Sequence, residues 1–253
     1  MSWEPKYDVG FIDEEFIVPI DCLYGGYTSM NRSKGLISSE KLRYFYNKYN
    51  MKKEFEAIGF HVPDLYLYTK NEICEEELLK YDGFVAKPAH MSDSDNVLIN
   101  KTIYLKELNN SLNKTARLDA ADMFNASIAP WKECERGIII EELINVIYEL
   151  KVFVVWGSPL IVDLRIGASE FARVDFIDKE NTYLNWDHEY ELIEKFAETI
   201  KIDFFRIDFL YDGKILYASE LEFMPGTILP KEIETFIEIR WQKLYYQHYY
   251  GMR

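Results

Sequence analysis

Hydrophobic positions along the chain alternate between helical and extended periods. Between residues 38 and 59, Leu42, Phe45, Tyr46, Tyr49 and Phe55 recur on one helix face, with Ser38 or Ser39 available as N-cap and Gly59 placed to end the helix. Asp187 to Thr199 reads as a second helix. Pro230 to Tyr250 reads as a closing one, opened by Pro and stopped by Gly251, with Ile233, Phe236, Ile237, Trp241 and Leu244 near helical spacing. Short apolar runs predict strands over 84–87, 97–99, 138–140, 148–155, 160–165, 204–210 and 217–223. Asp212-Gly213 between the last two is a hairpin signal. Residues 1–37 predict an irregular or partly stranded leader with a turn at Gly25-Gly26.

The final hairpin carries the candidate chemistry. Side chains alternate across a strand, so Glu220 and Glu222 share a face, and Asp208 on the partner strand can reach it. Three carboxylates so placed suit Mg²⁺, a hard cation that takes carboxylate together with phosphate and water oxygens. The same acids would equally make a solvated outer face, but Pro225-Gly226 directly after them puts a sharp turn where ligand-facing loops sit. Upstream, Lys87 emerges from the apolar run Phe84-Val85-Ala86, as a surface-seeking lysine would, and is followed by His90 and a polar loop containing Ser92 and Ser94. The run Ile138-Ile139-Ile140 passes into the polar hinge Glu141-Glu142-Leu143-Ile144, and Glu149 and Lys151 share one face of the next strand.

These segments, in this order, resemble the ATP-grasp superfamily. The carriers are Asn47-Lys48-Tyr49 with Lys52 and Gly59-Phe60-His61-Val62-Pro63, the Lys87-Pro88 strand end, the Glu141 hinge, Glu149, and Arg206-Ile207-Asp208 followed by Glu220-Leu221-Glu222-Phe223-Met224-Pro225-Gly226. The resemblance spans about Lys48 to Gly226. It implies an α+β fold of two α/β lobes with mainly antiparallel sheets enclosing a nucleotide. The lobes would cover residues 38–105 and 106–253, behind a reduced N-terminal segment of residues 1–37. It implies ATP and Mg²⁺ as cofactors. Lys48, Lys87, Lys151, Arg165, Ser92 and Ser94 would then address phosphates, Glu141 to Ile144 would border adenine through the backbone, and Glu149 would take the ribose. Asp208, Glu220 and Glu222 would hold the metals, and Arg206, Lys87 and His90 would face the reacting groups.

The chain departs from the family pattern in two places. Glu222 stands where Asn is usual, adding a negative charge, and the loop after His90 has no Gly to let backbone N–H groups approach phosphate. The Asn47 start, the strand ending at His90 and Glu149-Leu150-Lys151-Val152-Phe153 are most similar to the TupA-like branch associated with teichuronopeptide and surface-polysaccharide biosynthesis. The activity implied is carboxylate–amine ligation through an acyl phosphate, on a small-molecule, sugar or peptide substrate. A kinase on the same scaffold and a nucleotide-binding protein without catalysis are the alternatives.

Composition narrows the partners. A net charge of -14 opposes a broad electrostatic footprint on nucleic acid or an anionic membrane, so a triphosphate must be held by local cations and obligatory metal. Cys22, Cys74 and Cys134 are odd in number and widely spaced, which suits a reducing compartment, and the four His show no zinc-type spacing. No run approaches the length of a membrane span, and the N-terminus lacks a basic start and apolar run, so cytoplasmic residence is expected.

Overall fold

The computed structural model describes residues 39–90, 98–99, 112–114, 134–166, 170–175, 187–202, 204–223, 236–237, 239–241 and 243. The expected leader, the loop with Ser92 and Ser94, the Pro225-Gly226 turn and most of the closing helix lie outside these residues.

Where the sequence predicts one helix up to Gly59, there are two: α1 (Ser39–Tyr46) and α2 (Lys48–Ile58). Asn47 separates them, because its side chain accepts from the N–H groups of Tyr49 and Asn50 at 3.0 and 3.2 Å while its backbone is extended. A residue that satisfies the free N–H groups of a new helix is a start signal, and here it outweighs the continuous apolar spacing. Gly59 ends α2 with φ 113°, and the N–H groups of Gly59 and Phe60 return to the Phe55 carbonyl.

A four-stranded antiparallel sheet has the order β1-β4-β2-β3, from β1 (Leu65–Thr69), β2 (Phe84–Pro88), β3 (Leu98–Ile99) and β4 (Ile138–Glu142), with the short α3 (Glu75–Leu78) between β1 and β2. β4 pairs with β1 and β2, so the strand pairing crosses the 105/106 lobe boundary expected from the sequence. A five-stranded antiparallel sheet follows in the order β7-β6-β5-β8-β9, from β5 (Tyr148–Val155), β6 (Ser158–Ile166), β7 (Glu170–Asp175), β8 (Phe204–Tyr211) and β9 (Leu216–Glu222). The expected turn after β8 forms because Asp212 Oδ1 accepts from the N–H groups of Lys214 and Ile215, with Gly213 at φ 101°.

One face of the five-stranded sheet is the main core. Leu150, Val152 and Val154 of β5, Phe205, Ile207 and Phe209 of β8, and Ala218 and Leu221 of β9 pack with Phe45, Met51 and Phe55 of the first two helices. Ile193, Phe196, Ala197 and Ile200 of α4 (Asp187–Ile200) complete this core. A smaller core of Ile73, Leu78, Phe84, Ala86, Leu112, Ile138 and Ile140 lies on one face of the four-stranded sheet. Helices thus cover one face of the larger sheet; on its other face the buried Phe153, Val155 and Phe204 lie toward one end, and Glu149, Lys151, Arg206 and Asp208 gather toward the other.

Candidate active site

Strict period two from Ala218 would send Glu220 and Glu222 into the core with it. A bulge at Ser219 prevents this: Phe209 pairs Ala218 while Asp208 pairs Glu220, and Ser219 Oγ donates to the Asp208 carbonyl at 3.1 Å. Ala218 and Leu221 therefore both reach the core. Glu220 and Glu222 turn to the opposite face, across from Asp208 and Arg206 in register. Lys151 sits opposite Asp208 on the other side of β8, and Glu149 is two residues before it. The sequence expectation that Asp208, Glu220 and Glu222 share a face holds, by way of a bulge it did not contain.

The charges on this face are already paired. Asp208, 2% exposed, receives Arg206 Nε at 2.5 Å on Oδ1, and Arg206 Nη2 at 2.8 Å and Lys151 Nζ at 2.6 Å on Oδ2. Burial favours its neutral form, but the two cations outweigh this and hold the carboxyl below the usual range. The same contacts keep Arg206 and Lys151 charged against burial. Lys151 also reaches Glu149 Oε1 at 2.9 Å. Lys48, in the first turn of α2, reaches Glu220 Oε1 at 3.1 Å.

Glu222 is the exception to this balance. Buried and beside Glu220, its carboxyl is pushed up to about 8, by desolvation first and the neighbouring carboxylate second. Among the described residues, no group of three or more His, Cys, Asp or Glu side chains is gathered to hold a metal ion. The donor set nevertheless divides clearly. Glu220 and Glu222 are two crowded oxygen donors whose repulsion a divalent cation would relieve, and they fit Mg²⁺. Asp208, expected as a metal ligand on an exposed face, is instead deeply buried, with both oxygens engaged by cations.

A second charged group sits on the four-stranded sheet. Phe84 and Ala86 face its small core, so Lys87 emerges on the other side, where Glu141 of β4 meets it. Lys87 Nζ lies 2.5 Å from Glu141 Oε1, and Lys52 Nζ of α2 lies 2.7 Å from Oε2. Burial opposes the Glu141 charge, but Lys87 and Lys52 hold its carboxyl low, whereas burial lowers Lys52 more than Glu141 can restore. The start of α2 is docked on the strand that carries Lys87: Lys48 N–H donates to the Ala89 carbonyl at 2.6 Å, and Asn47 Nδ2 donates to the Glu135 carbonyl at 2.8 Å.

The remaining expected residues are placed as follows. His90 is buried at the end of this strand. Glu142 Oε2 accepts from Asp64 N–H at 3.3 Å, Leu143 is exposed and Ile144 buried, in the hinge between β4 and β5. Arg165 lies on β6 at the register position opposite Glu149. The sequence reading missed the pairing of Lys52 with Glu141. Its only trace was the spacing of Lys48 and Lys52, one helical turn apart on the same face.

No family model matches the chain, and no curated protein matches it. Solved structures do. A RiPP-associated ATP-grasp ligase from Chryseobacterium gregarium, in complex with ADP and a leader and core peptide, aligns at TM-score 0.52 and 18% identity over 81% of this chain and 62% of its own. D-alanine–D-alanine ligase from Bacillus anthracis, complexed with ATP, aligns at 0.51 and 17% over 80% of this chain and 68% of its own. The ATP-grasp ligase PsnB with a minimal precursor aligns at 0.51 and 11% over 80% of this chain. The aligned part spans 62% of PsnB's length. At these identities the likeness establishes the fold: the chain has the α+β ATP-grasp architecture.

Proposed function

We propose that this chain is an ATP- and Mg²⁺-dependent ligase that activates a carboxylate as an acyl phosphate and passes it to an amine. The observation that carries this reading is the polar face of the five-stranded sheet. Arg206, Lys151 and Lys48 stand there against Asp208, Glu220 and Glu222, all on packed elements. In the first step the substrate carboxylate oxygen bonds to the γ-phosphorus and the bond to the ADP oxygen breaks. In the second, the amine nitrogen bonds to the acyl carbon, inorganic phosphate leaves and the amine loses a proton. Such a reaction needs charge neutralised where it develops on phosphoryl and acyl oxygens.

Lys48 and Lys87 would take triphosphate charge, Glu149 the ribose hydroxyls, and the backbone of Glu141 to Ile144 the adenine edge. Arg206, held by Asp208, would present its guanidinium to the reacting acyl or phosphoryl oxygens, with His90 at the mouth. Glu220 and Glu222 would hold Mg²⁺, which when bound screens the β- and γ-phosphate oxygens. Asp208 would join them only when nucleotide draws Lys151 or Arg206 away. Ser92, Ser94 and Arg165 complete the proposed phosphate contacts.

The solved ligases bound to precursor peptides support a peptide as substrate, and the TupA-like resemblance supports a sugar acid or peptide of the cell surface, modified in the cytoplasm. No helix among the described residues is long and apolar enough to cross a membrane. Hydroxylamine trapping tests the chemistry. ATP, Mg²⁺ and a panel of carboxylates should yield a hydroxamate together with ADP. ADP release with a phosphorylated hydroxyl and no hydroxamate would make the protein a kinase, and ATP binding with no ADP release would make it a non-catalytic binder.

A further inference from the structure

A lysine that must receive a phosphate is poorly served by a carboxylate 2.5 Å away, because the pair is neutral toward an approaching anion. Lys87 has such a partner in Glu141, and the structure supplies an offset. Lys52 approaches the other oxygen of the same carboxylate and is fixed from behind by donating to the Pro63 carbonyl at 2.8 Å. The three side chains form a buried row whose exposures run 3% for Lys52, 5% for Glu141 and 14% for Lys87. The row carries one net positive charge, and its most accessible member is Lys87. Burial works against the Lys52 cation, so an apolar residue there would be the less costly choice for the core alone.

We propose that Lys52 and Glu141 are positioning residues for Lys87: Glu141 fixes where its ammonium points, and Lys52 cancels the Glu141 charge so that Lys87 still attracts an anion. Neither side chain touches the nucleotide, and Glu141 meets the adenine edge through its backbone alone. The inference rests on the reading of Lys87 as a phosphate contact, and the test separates the two.

Lys52→Met, Lys52→Arg and Glu141→Gln are made alone and combined with Lys87→Ala, with folding checked by circular dichroism. Affinity for ATP with Mg²⁺ is measured by calorimetry, and the rate of Lys87 amine labelling without nucleotide by mass spectrometry. Lys52→Met should weaken ATP binding about tenfold, the scale of one charge-assisted contact, while Lys52→Arg stays within about threefold of wild type. Both effects should vanish in the Lys87→Ala background. Glu141→Gln should speed Lys87 labelling, since the ammonium loses its buried partner. The proposal is overturned if Lys52→Met weakens binding equally without Lys87, if Arg fails to restore affinity, or if Lys87 labelling is unchanged in Glu141→Gln. If Lys87→Ala itself leaves ATP affinity unchanged, the phosphate reading falls, and the labelling rates alone decide whether the pair positions Lys87. Should Lys52→Met not fold, Lys52→Gln, which removes the same charge, carries the comparison with and without Lys87→Ala.

Discussion

Among the described residues, Glu222 is the buried carboxyl on the polar face whose ionisation the structure opposes, and replacing it by Gln removes that group. Its folded value of about 8 lies above the ordinary 4.5, so the native state binds this proton more tightly than the unfolded chain does. The resulting stability is fully present below about pH 4.5 and is lost as pH rises through about 8. At about 1.4 kcal/mol for each pH unit of that interval, the ceiling on the loss is about 5 kcal/mol, reduced by any relaxation or water entry around the pair. Gln keeps the shape without the proton. Urea unfolding at pH 5, 6.5 and 8.5 should therefore show Glu222→Gln close to wild type at the lowest pH and more stable by several kcal/mol at the highest. Asp208 and Glu141, whose carboxyls are held low, titrate below this window in both proteins and drop out of the difference. Adding Mg²⁺ at pH 8.5 should stabilise wild type more than the variant, because a ligand of the native state stabilises it by mass action. Parallel stability curves for the two proteins across this range would refute the reasoning.

Three further outcomes follow from single contacts. Asp208→Ala strands Arg206 and Lys151 without their shared buried carboxylate and should cost about 3–5 kcal/mol in urea unfolding, so its loss of turnover must be read beside its loss of fold. Gly59→Ala should cost about 1–2 kcal/mol, because φ is 113° there although a methyl group would meet only Leu192 at 3.6 Å. Lys87→Ala should weaken ATP binding by about 1.5–3 kcal/mol, and unchanged affinity in calorimetry would return Lys87 to the role of a surface-seeking side chain.

Much of the fold was legible because β4, β5 and β8 are rich in apolar residues and the last hairpin has an Asp-Gly turn, a local signal that tertiary contacts did not override. The short β1 and β7 were not predicted. Leu65 to Thr69 mixes apolar and aromatic residues over only five positions, and every one is half-buried, so neither period stands out. The break at Asn47 was hidden because apolar positions continue across it, and only the capping side chain marks the boundary. At the candidate site, residue types and faces were legible and ion-pair partners were not. Alternation assigns Asp208 to the face of Glu220, but its two cations come from Arg206 on its own strand and Lys151 on the next, and strand adjacency is set by the sheet order.

The pairing pattern also bears on how metal and nucleotide would enter. Lys48 and Lys52 lie one turn apart on α2, yet Lys48 pairs with Glu220 of the larger sheet and Lys52 with Glu141 of the smaller. On the proposed reading, Lys48 can turn to a phosphate only by leaving Glu220 beside Glu222, and that exposes the carboxylate repulsion already visible at Glu222. A divalent cation at the two acids removes the penalty, so cation and nucleotide binding should reinforce one another. Such coupling is reciprocal, and its usual size is about 1–3 kcal/mol. Titrating ATP with and without Mg²⁺, in wild type and in Lys48→Met, measures it. Wild type should gain about tenfold or more from the cation through this exchange, beyond what the free Mg–ATP complex contributes. Lys48→Met should show a smaller gain, because its acids are unpaired whether or not nucleotide is bound. An equal gain in both proteins would mean that Lys48 stays with Glu220 when ATP binds, and that the first turn of α2 supports the site without contacting phosphate.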